Sequence, residues 1–334
     1  MTIEEIKIRR LWAQHLLAPA DMQTVVKDLC GVQAQFLSHA LHGLSIRAEE
    51  LNTDGLVKSW TNRGTIHLFS MDDLPLFLHK GRKHFLRPVD TMDADTYVDA
   101  TRKAYFGDVI IDGVSHGISE REALKALCEQ AGMSEREEKS IFDPWGGLIR
   151  ALCEKGTLCY RVQEKKAYAL CPPFEPMEEE PARLELARRY FTHFGPATIK
   201  DAAYFFGTTQ TKVKAWLKDL LVSEITWDGK SYFYIDNGLP AGYIPECIFL
   251  GGFDQLMLGY EKKESLFLST EHIRDIFTLG GIVRPAILIN GTVAGWWNRK
   301  NSRLSVTLFE NQNPGLITEA ASKLWPTVKV TEFK

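Results

Sequence analysis

Three times along this chain a run of helical periodicity gives way to a short β-prone run across a glycine or polar turn, at a spacing of roughly sixty to eighty residues. A repeat of that order narrows the possible folds sharply, because helices followed by a β element make up a winged-helix unit. In the first copy Ile3, Ile6, Leu11, Leu16 and Leu17 keep helical spacing up to Pro19. Asp21 is placed to cap a helix through Val25, Val26 and Leu29 that ends at Gly31, and a third helix is expected from Thr53 or Asp54 through Leu56, Val57 and Trp60. Arg63-Gly64-Thr65-Ile66-His67-Leu68-Phe69 then reads as a turn opening into a strand.

The second copy is expected to start a helix with a capping box, Ser119 with Glu122, ahead of Ala123, Leu124, Ala126 and Leu127. A later helix near Pro144 to Glu154 precedes a hairpin of Thr157 to Val162 with Lys166 to Leu170, whose polar tip Gln163-Glu164-Lys165 would be the wing. The third copy has helices near Ala182 to Phe194, Ile199 to Phe206 and Gln210 to Leu221. Asp228-Gly229 then joins Ile225-Thr226-Trp227 to Tyr232-Phe233-Tyr234-Ile235. Between copies two and three, Cys171 to Pro181 carries four prolines and an acidic run, the composition of a linker. After Pro240 the chain turns β-prone: Ile287 to Ile289, the turn Asn290-Gly291, Thr292 to Trp297, Leu304 to Phe309 and Val328 to Phe333.

The expected architecture is therefore α+β, with three tandem winged-helix units at 1–95, 96–176 and 177–240 followed by a small C-terminal β-barrel domain at 241–334. A length of 334 residues with 45% hydrophobic and 25% charged residues supports more than one core, which rules out a small disulfide scaffold and wholesale disorder. The net charge of -3 supplies no global field for a polyanion, so any DNA binding must come from local patches. Six cysteines without a C-x-x-C pair or zinc spacing are expected to be reduced, with no structural metal. The charged N-terminus has no apolar signal region, and no run approaches eighteen apolar residues, so a soluble cytoplasmic protein is expected.

Walker A, G-x-G-x-x-G, H-E-x-x-H and G-x-S-x-G are all missing, which removes support for the common nucleotide, zinc and α/β-hydrolase chemistries. Two clusters remain unusual. Val32-Gln33-Ala34-Gln35-Phe36 sets two amides two residues apart: on extended backbone they share a face, in a helix they are splayed by about 200 degrees. Ser38, His39 and His42 follow it. Ser59-Trp60-Thr61-Asn62-Arg63-Gly64-Thr65-Ile66-His67 gathers an aromatic, a guanidinium, a hydroxyl and an imidazole around one glycine, and in a strand Thr65 and His67 share a face that Arg63 can join.

Together with Phe253-Asp254-Gln255-Leu256-Met257-Leu258-Gly259-Tyr260, with Arg284-Pro285 and with Gly291 to Trp297, these clusters resemble, in order and over essentially the whole chain, the winged-helix DNA glycosylases of the AlkZ and YcaQ type. The resemblance implies three winged-helix units and a C-terminal β-barrel around a concave DNA-binding face. It also implies removal of bulky N7-alkylated purines, interstrand crosslinks included, from double-stranded DNA. The family's catalytic motif, a Gln, an apolar residue, then Gln or Asp, falls on Gln33, Ala34 and Gln35, the version of the AlkZ branch. Where the family tends to have proline ahead of Phe253-Asp254, this chain has Gly251-Gly252.

N7 alkylation makes the purine a cationic leaving group, so the enzyme's task is to position water and stabilise charge developing on the sugar, for which amides suffice. Gln33 and Gln35 are the expected catalytic pair, with Gln35 nearest the water. Arg63, Thr65, His67 and Asp254 are candidate supporting residues. The ordinary alternatives are a capping or turn network for the glutamines, a satisfied structural histidine for His67, and a turn-capping carboxylate for Asp254. Three basic patches could meet phosphates: Lys80, Arg82, Lys83 and Arg87; Lys212, Lys214 and Lys218; and Arg299, Lys300 and Arg303. The expectation is a monofunctional DNA glycosylase of alkylation repair, monomeric, with no cofactor and no membrane. The alternative is a non-enzymatic winged-helix DNA binder or transcription regulator.

Overall fold

Thr2 and Glu5 cap the first helix reciprocally: the Thr2 hydroxyl accepts from the Glu5 amide and the Glu5 carboxylate from the Thr2 amide, starting α1 (Ile3–Ala13). The computed structural model describes residues 1–61, 63–82, 98–143, 147–238, 242–310 and 312–333. These form two compact units, one of residues 1–52 with 184–334 and one of residues 53–183. The architecture mixes helices with antiparallel sheet. Among the described residues no helix is long and apolar enough to cross a membrane.

In the first unit α2 (Met22–Asp28) starts where expected, with the Asp21 carboxylate accepting from the Thr24 amide. Cys30 and Gly31 then take positive φ values of 54 and 70, which ends the helix and lets the chain leave extended as β1 (Val32–Gln33) ahead of α3 (Leu37–Ser45).

In the second unit Leu56, Val57 and Trp60, expected on a helix, lie on strand β2 (Leu56–Trp60), which pairs antiparallel with β3 (Ile66–Ser70) in the register Ser59↔His67 and Trp60↔Ile66. Its residues are nearly all buried, and a buried strand shows no alternation to separate it from a helix. Helices α4 (Ala100–Ser115), α5 (Arg121–Gln130), α6 (Glu135–Ile141) and α7 (Gly147–Glu154) follow, then the antiparallel hairpin β4 (Leu158–Tyr160) and β5 (Tyr168–Leu170). The capping box at Ser119 and Glu122 does not form. Glu120 takes the cap position, and the Ser119 carbonyl instead accepts from the Tyr168 amide, which draws residue 119 to the edge of the hairpin. Phe106, Ile110, Leu124, Cys128, Ile149 and Leu158 form the core of this unit.

The linker runs into α8 (Glu179–His193), which carries Pro181 in its first turn, where a missing amide costs nothing. Helices α9 (Ile199–Phe206) and α10 (Gln210–Asp219) precede the hairpin β6 (Ser223–Trp227) and β7 (Lys230–Tyr234), closed by Asp228 and Gly229 at positive φ as the Asp-Gly signal requires. Then come β8 (Cys247–Phe249), the short α11 (Gln255–Leu258), β9 (Ala286–Ile289), β10 (Thr292–Lys300), β11 (Arg303–Leu308), α12 (Pro314–Leu324) and β12 (Lys329–Phe333).

The strands of this last segment form an open sheet in the order β12-β11-β10-β9-β8, not a closed barrel. β12 adds parallel to β11 at the far edge, so the last strand lengthens the sheet instead of meeting β8. Phe249, Ile287, Trp297, Leu304 and Val306 bury their side chains with Ile317 and Ala321 of α12. The Gly251-Gly252 departure has a steric reason: a Cβ at Gly251 would lie 2.5 Å from the His39 carbonyl oxygen, so only glycine lets this loop rest directly on α3.

Candidate active site

The glutamines are not splayed on a helix: Gln33 ends the strand β1 and Gln35 lies in the bend that follows, ahead of α3. Ala34 is fully buried, which turns its neighbours outward, and the Gln33 amide nitrogen donates to the Gln35 side-chain oxygen at 2.9 Å. Gln33 is half-buried and Gln35 exposed. Phe36, 47% exposed, stacks on Phe253 with ring centres 5.6 Å apart, an aromatic surface one residue beyond the pair. Gln33, His39, Arg47, Phe253, Asp254 and Gln255 line a pocket of about 10 Å³, the size of one water position.

Asp254 proves to be structural as well as nearby. Arg47 grips it with two bonds of 2.9 and 2.7 Å, both side chains are 1% exposed, and Asp254 also caps α11 by accepting from the Leu256 amide. Arg47 further donates to the Gln14 and Gly43 carbonyls, so its guanidinium holds the ends of α1 and α3 and the α11 cap together. A carboxylate so engaged fixes the pocket wall through its pairing with Arg47 and its cap on α11. Gln255 completes that wall. It is 2% exposed, and neither amide atom has a partner among the described residues.

His42 faces the sheet rather than the glutamines. Its Nε2 bonds the Phe249 carbonyl at 2.8 Å and its ring meets Trp297 and Trp325. Burial lowers this imidazole from the ordinary 6.5 to about 4, and burial with the nearby Arg63 charge pushes His67 well below 6.5. Both rings stay neutral in the folded protein while the unfolded chain takes up protons from about pH 6.5 downward. Stability is therefore full above that pH and falls as pH drops toward 4, by about 1.4 kcal/mol per unit for each such histidine. Urea midpoints at pH 7.5, 6.0 and 5.0 are expected to fall in that order, with a shallower fall in His42→Gln; a flat profile contradicts the assignment.

Arg63, Thr65 and His67 belong to the second unit. His67 is fully buried, its Nδ1 facing the Thr65 carbonyl at 3.0 Å and the Thr61 hydroxyl at 3.1 Å, while Thr61 and Thr65 close the turn between β2 and β3. That places His67 as the inner brace of a turn in which Arg63 and Thr65 are half-buried, Arg63 with its Nη1 nitrogen buried, and Gly64 is exposed. Of the basic patches, Lys80 pairs with Glu178 at 2.6 Å and Arg82 donates to the carbonyls of Leu78, His79 and Glu154; Lys83 and Arg87 lie outside the described residues. Lys212, Lys214 and Lys218 are exposed on α10, whose buried face is Val213 and Trp216, and Lys214 and Lys218 stand one turn apart opposite that face. Arg299, Lys300 and Arg303 are exposed at the end of the β10–β11 hairpin, where Lys300 pairs with Arg303 across a turn and Arg299 lies over the Trp325 ring.

The family model for AlkZ-like DNA glycosylases matches residues 26–323. The chain belongs to this family. AlkZ-like enzymes are DNA glycosylases, and this chain is one of them. It is similar to an interstrand DNA cross-link repair glycosylase of Streptomyces sahachiroi, 26% identical over 318 residues that cover 85% of this chain and 84% of the relative. The solved structure of the DNA glycosylase AlkZ from Streptomyces sahachiroi has the same fold, with a TM-score of 0.78 at 22% identity over 100% of this chain and 99% of that one. Within this AlkZ-like chain, sequence reasoning missed Arg47 and gave Gln255 no role. Arg47 carries no local signal because its partner is 207 residues away, whereas Gln255 sat inside the quoted Phe253-Asp254-Gln255 run as an amide in an apolar context.

Proposed function

We propose that this AlkZ-like glycosylase hydrolyses the N-glycosidic bond of N7-alkylated purines in double-stranded DNA, bulky adducts and interstrand crosslinks included. One observation carries the reading: two amides joined by a hydrogen bond where a strand turns into a bend, with Gln35 open to solvent. The name of the cross-link repair relative supports interstrand crosslinks as substrates. In the reaction the Gln33 and Gln35 oxygens accept hydrogens from one water and aim its lone pair at the anomeric carbon. The water oxygen bonds to that carbon as the bond to the base breaks, the electron pair neutralises the cationic purine, and the surplus proton passes to solvent. The motif contains no lysine for a Schiff base, so the product is an intact abasic site. Phe36 offers a stacking surface beside the water, and Arg47 with Asp254 holds the wall behind it.

In this reading the protein is a monomer whose helix-then-hairpin segments at 1–95, 96–176 and 177–240 act as winged-helix units, followed by the β-domain at 241–334. Thr65 and Arg63 meet the DNA backbone from a turn braced by His67. Lys212, Lys214 and Lys218 bind phosphates, with Lys80, Arg299, Lys300 and Arg303 as further contacts. Replacing Lys214 and Lys218 together by alanine is expected to weaken duplex binding and to flatten the log–log salt dependence by about 1.8, while the rate on saturating enzyme stays near wild type. An unchanged salt slope moves the phosphate contacts elsewhere. The deciding experiment incubates the purified chain with duplexes carrying one N7-methylguanine or one N7 crosslink and follows free base, alkali-labile abasic sites and crosslink unhooking. Base release is expected; sequence-selective binding to undamaged DNA without base release establishes the regulator instead.

A further inference from the structure

The first unit holds a second cluster that the glycosylase reading does not use. His15 lies just beyond α1, while Asp28 is the last residue of α2 and His193 the last of α8. The His15 Nε2 is 2.8 Å from one Asp28 oxygen and the His193 Nε2 is 3.1 Å from the other, with side chains only 14%, 20% and 15% exposed. One donor atom from each of the three residues lies within 4.8 Å of the others.

The remaining ring nitrogens are also committed. The Nδ1 of His15 faces the Ala18 carbonyl at 3.4 Å and that of His193 faces the Ala13 carbonyl at 3.1 Å. A neutral imidazole has one N–H, yet each ring meets an acceptor at both nitrogens. Hydrogen bonds alone satisfy the cluster only if two cationic rings, stacked with centres 6.2 Å apart, share a single carboxylate. With the N–H on Nδ1, where the backbone carbonyls orient it, two nitrogen lone pairs face the two oxygens of one carboxylate, with a donor atom of each residue within 4.8 Å of the others. That is the arrangement in which metal-binding histidines are held, the outer N–H tied to a carbonyl and the inner nitrogen free to ligate. The ends of three helices add their partial negative charge to the same place.

We propose that His15, Asp28 and His193 form a binding site for one divalent transition-metal ion, for which Zn²⁺ is the best chemical match. Two imidazoles and a carboxylate suit Zn²⁺ rather than the all-oxygen cations, and three protein ligands leave a fourth position for water. Bonds of about 2.0–2.2 Å separate neighbouring tetrahedral ligands by roughly 3.4 Å, between the 2.8 and 3.1 Å from each imidazole to its Asp28 oxygen and the 4.8 Å that bounds the whole donor set. The ion clamps the ends of α1, α2 and α8, and only Leu29, Cys30 and Gly31 separate Asp28 from the strand that carries Gln33. The three residues are far apart in sequence and each closes a different helix, so cysteine and histidine spacing gives no sign of the cluster.

The test uses the untagged full-length chain stripped with a chelator and desalted. Co²⁺ is titrated in and followed by its visible d–d absorption, then displaced with Zn²⁺, and thermal unfolding is recorded with and without Zn²⁺. One equivalent is expected to bind with a four-coordinate cobalt spectrum, and Zn²⁺ to raise the unfolding midpoint. His193→Ala and Asp28→Asn, checked for native circular dichroism, are expected to weaken binding about tenfold or more. His15→Gln serves where either fails to fold. No saturable binding to the wild-type chain, or undiminished binding in the folded variants, overturns the proposal. Neither result bears on base release, which is assayed separately.

Discussion

Gln35→Ala is expected to slow release of N7-methylguanine from duplex DNA by about 10²–10³-fold in single turnover, equivalent to about 2.7–4 kcal/mol of transition-state stabilisation, with DNA affinity essentially unchanged. The expectation follows from position. Gln35 is exposed and its one polar contact within the pair is the bond it accepts from Gln33 at 2.9 Å, so truncation removes little from the fold and, in the proposed reaction, most of the hold on the water. Gln33→Ala removes the donor that orients Gln35, and Gln33 itself lines the pocket, so its loss falls on the rate as well. Gln35→Glu keeps an oxygen acceptor in place and is expected to remain well above the alanine variant. Full activity in Gln35→Ala removes the glutamine pair from the mechanism.

Arg47→Ala carries the second large effect, and it falls on stability. The guanidinium and the Asp254 carboxylate are both 1% exposed, and removing one member leaves the other as an uncompensated buried charge, a loss of about 3–5 kcal/mol. Arg47→Lys recovers only part, because an ammonium cannot reproduce the two parallel bonds to Asp254 together with those to the Gln14 and Gly43 carbonyls. Pairing Arg47→Met with Asp254→Asn removes both charges and is expected to be more stable than Arg47→Ala alone. Urea unfolding measures all three; an Arg47→Ala chain within about 1 kcal/mol of wild type contradicts a buried, uncompensated Asp254.

Much of the local structure was legible because its signals are short-range. Asp228-Gly229 and Asn290-Gly291 close two-residue turns with both residues at positive φ, and Asp21 caps α2 through its own side chain. The failures share another cause. β2 is buried on nearly every residue, so burial erased the periodicity that names a strand, and Ser119 gave its carbonyl to Tyr168, a partner from a distant hairpin. An open sheet and a barrel have the same strand composition; they differ in long-range pairing, and here β12 and β8 stand at opposite edges.

The site divides along the same line. The spacing of Gln33 and Gln35 left two conformations open; the chain leaves the positive φ at Cys30 and Gly31 as a strand that ends at Gln33, and a bend at Gln35 brings the two amides into contact. Arg47 with Asp254, and His15 with Asp28 and His193, are meetings of residues from separate elements that no local pattern announces.

The central claim is that Gln33 and Gln35 act on the water as one hydrogen-bonded unit. A double-mutant cycle of Gln33→Ala, Gln35→Ala and the pair, read as single-turnover formation of abasic sites on an N7-methylguanine duplex, tests it most directly. The double variant is expected to be little slower than Gln35→Ala alone, because the second deletion removes a partner whose target is already gone. Rates that multiply independently, or a double variant that releases base at the wild-type rate, contradict it.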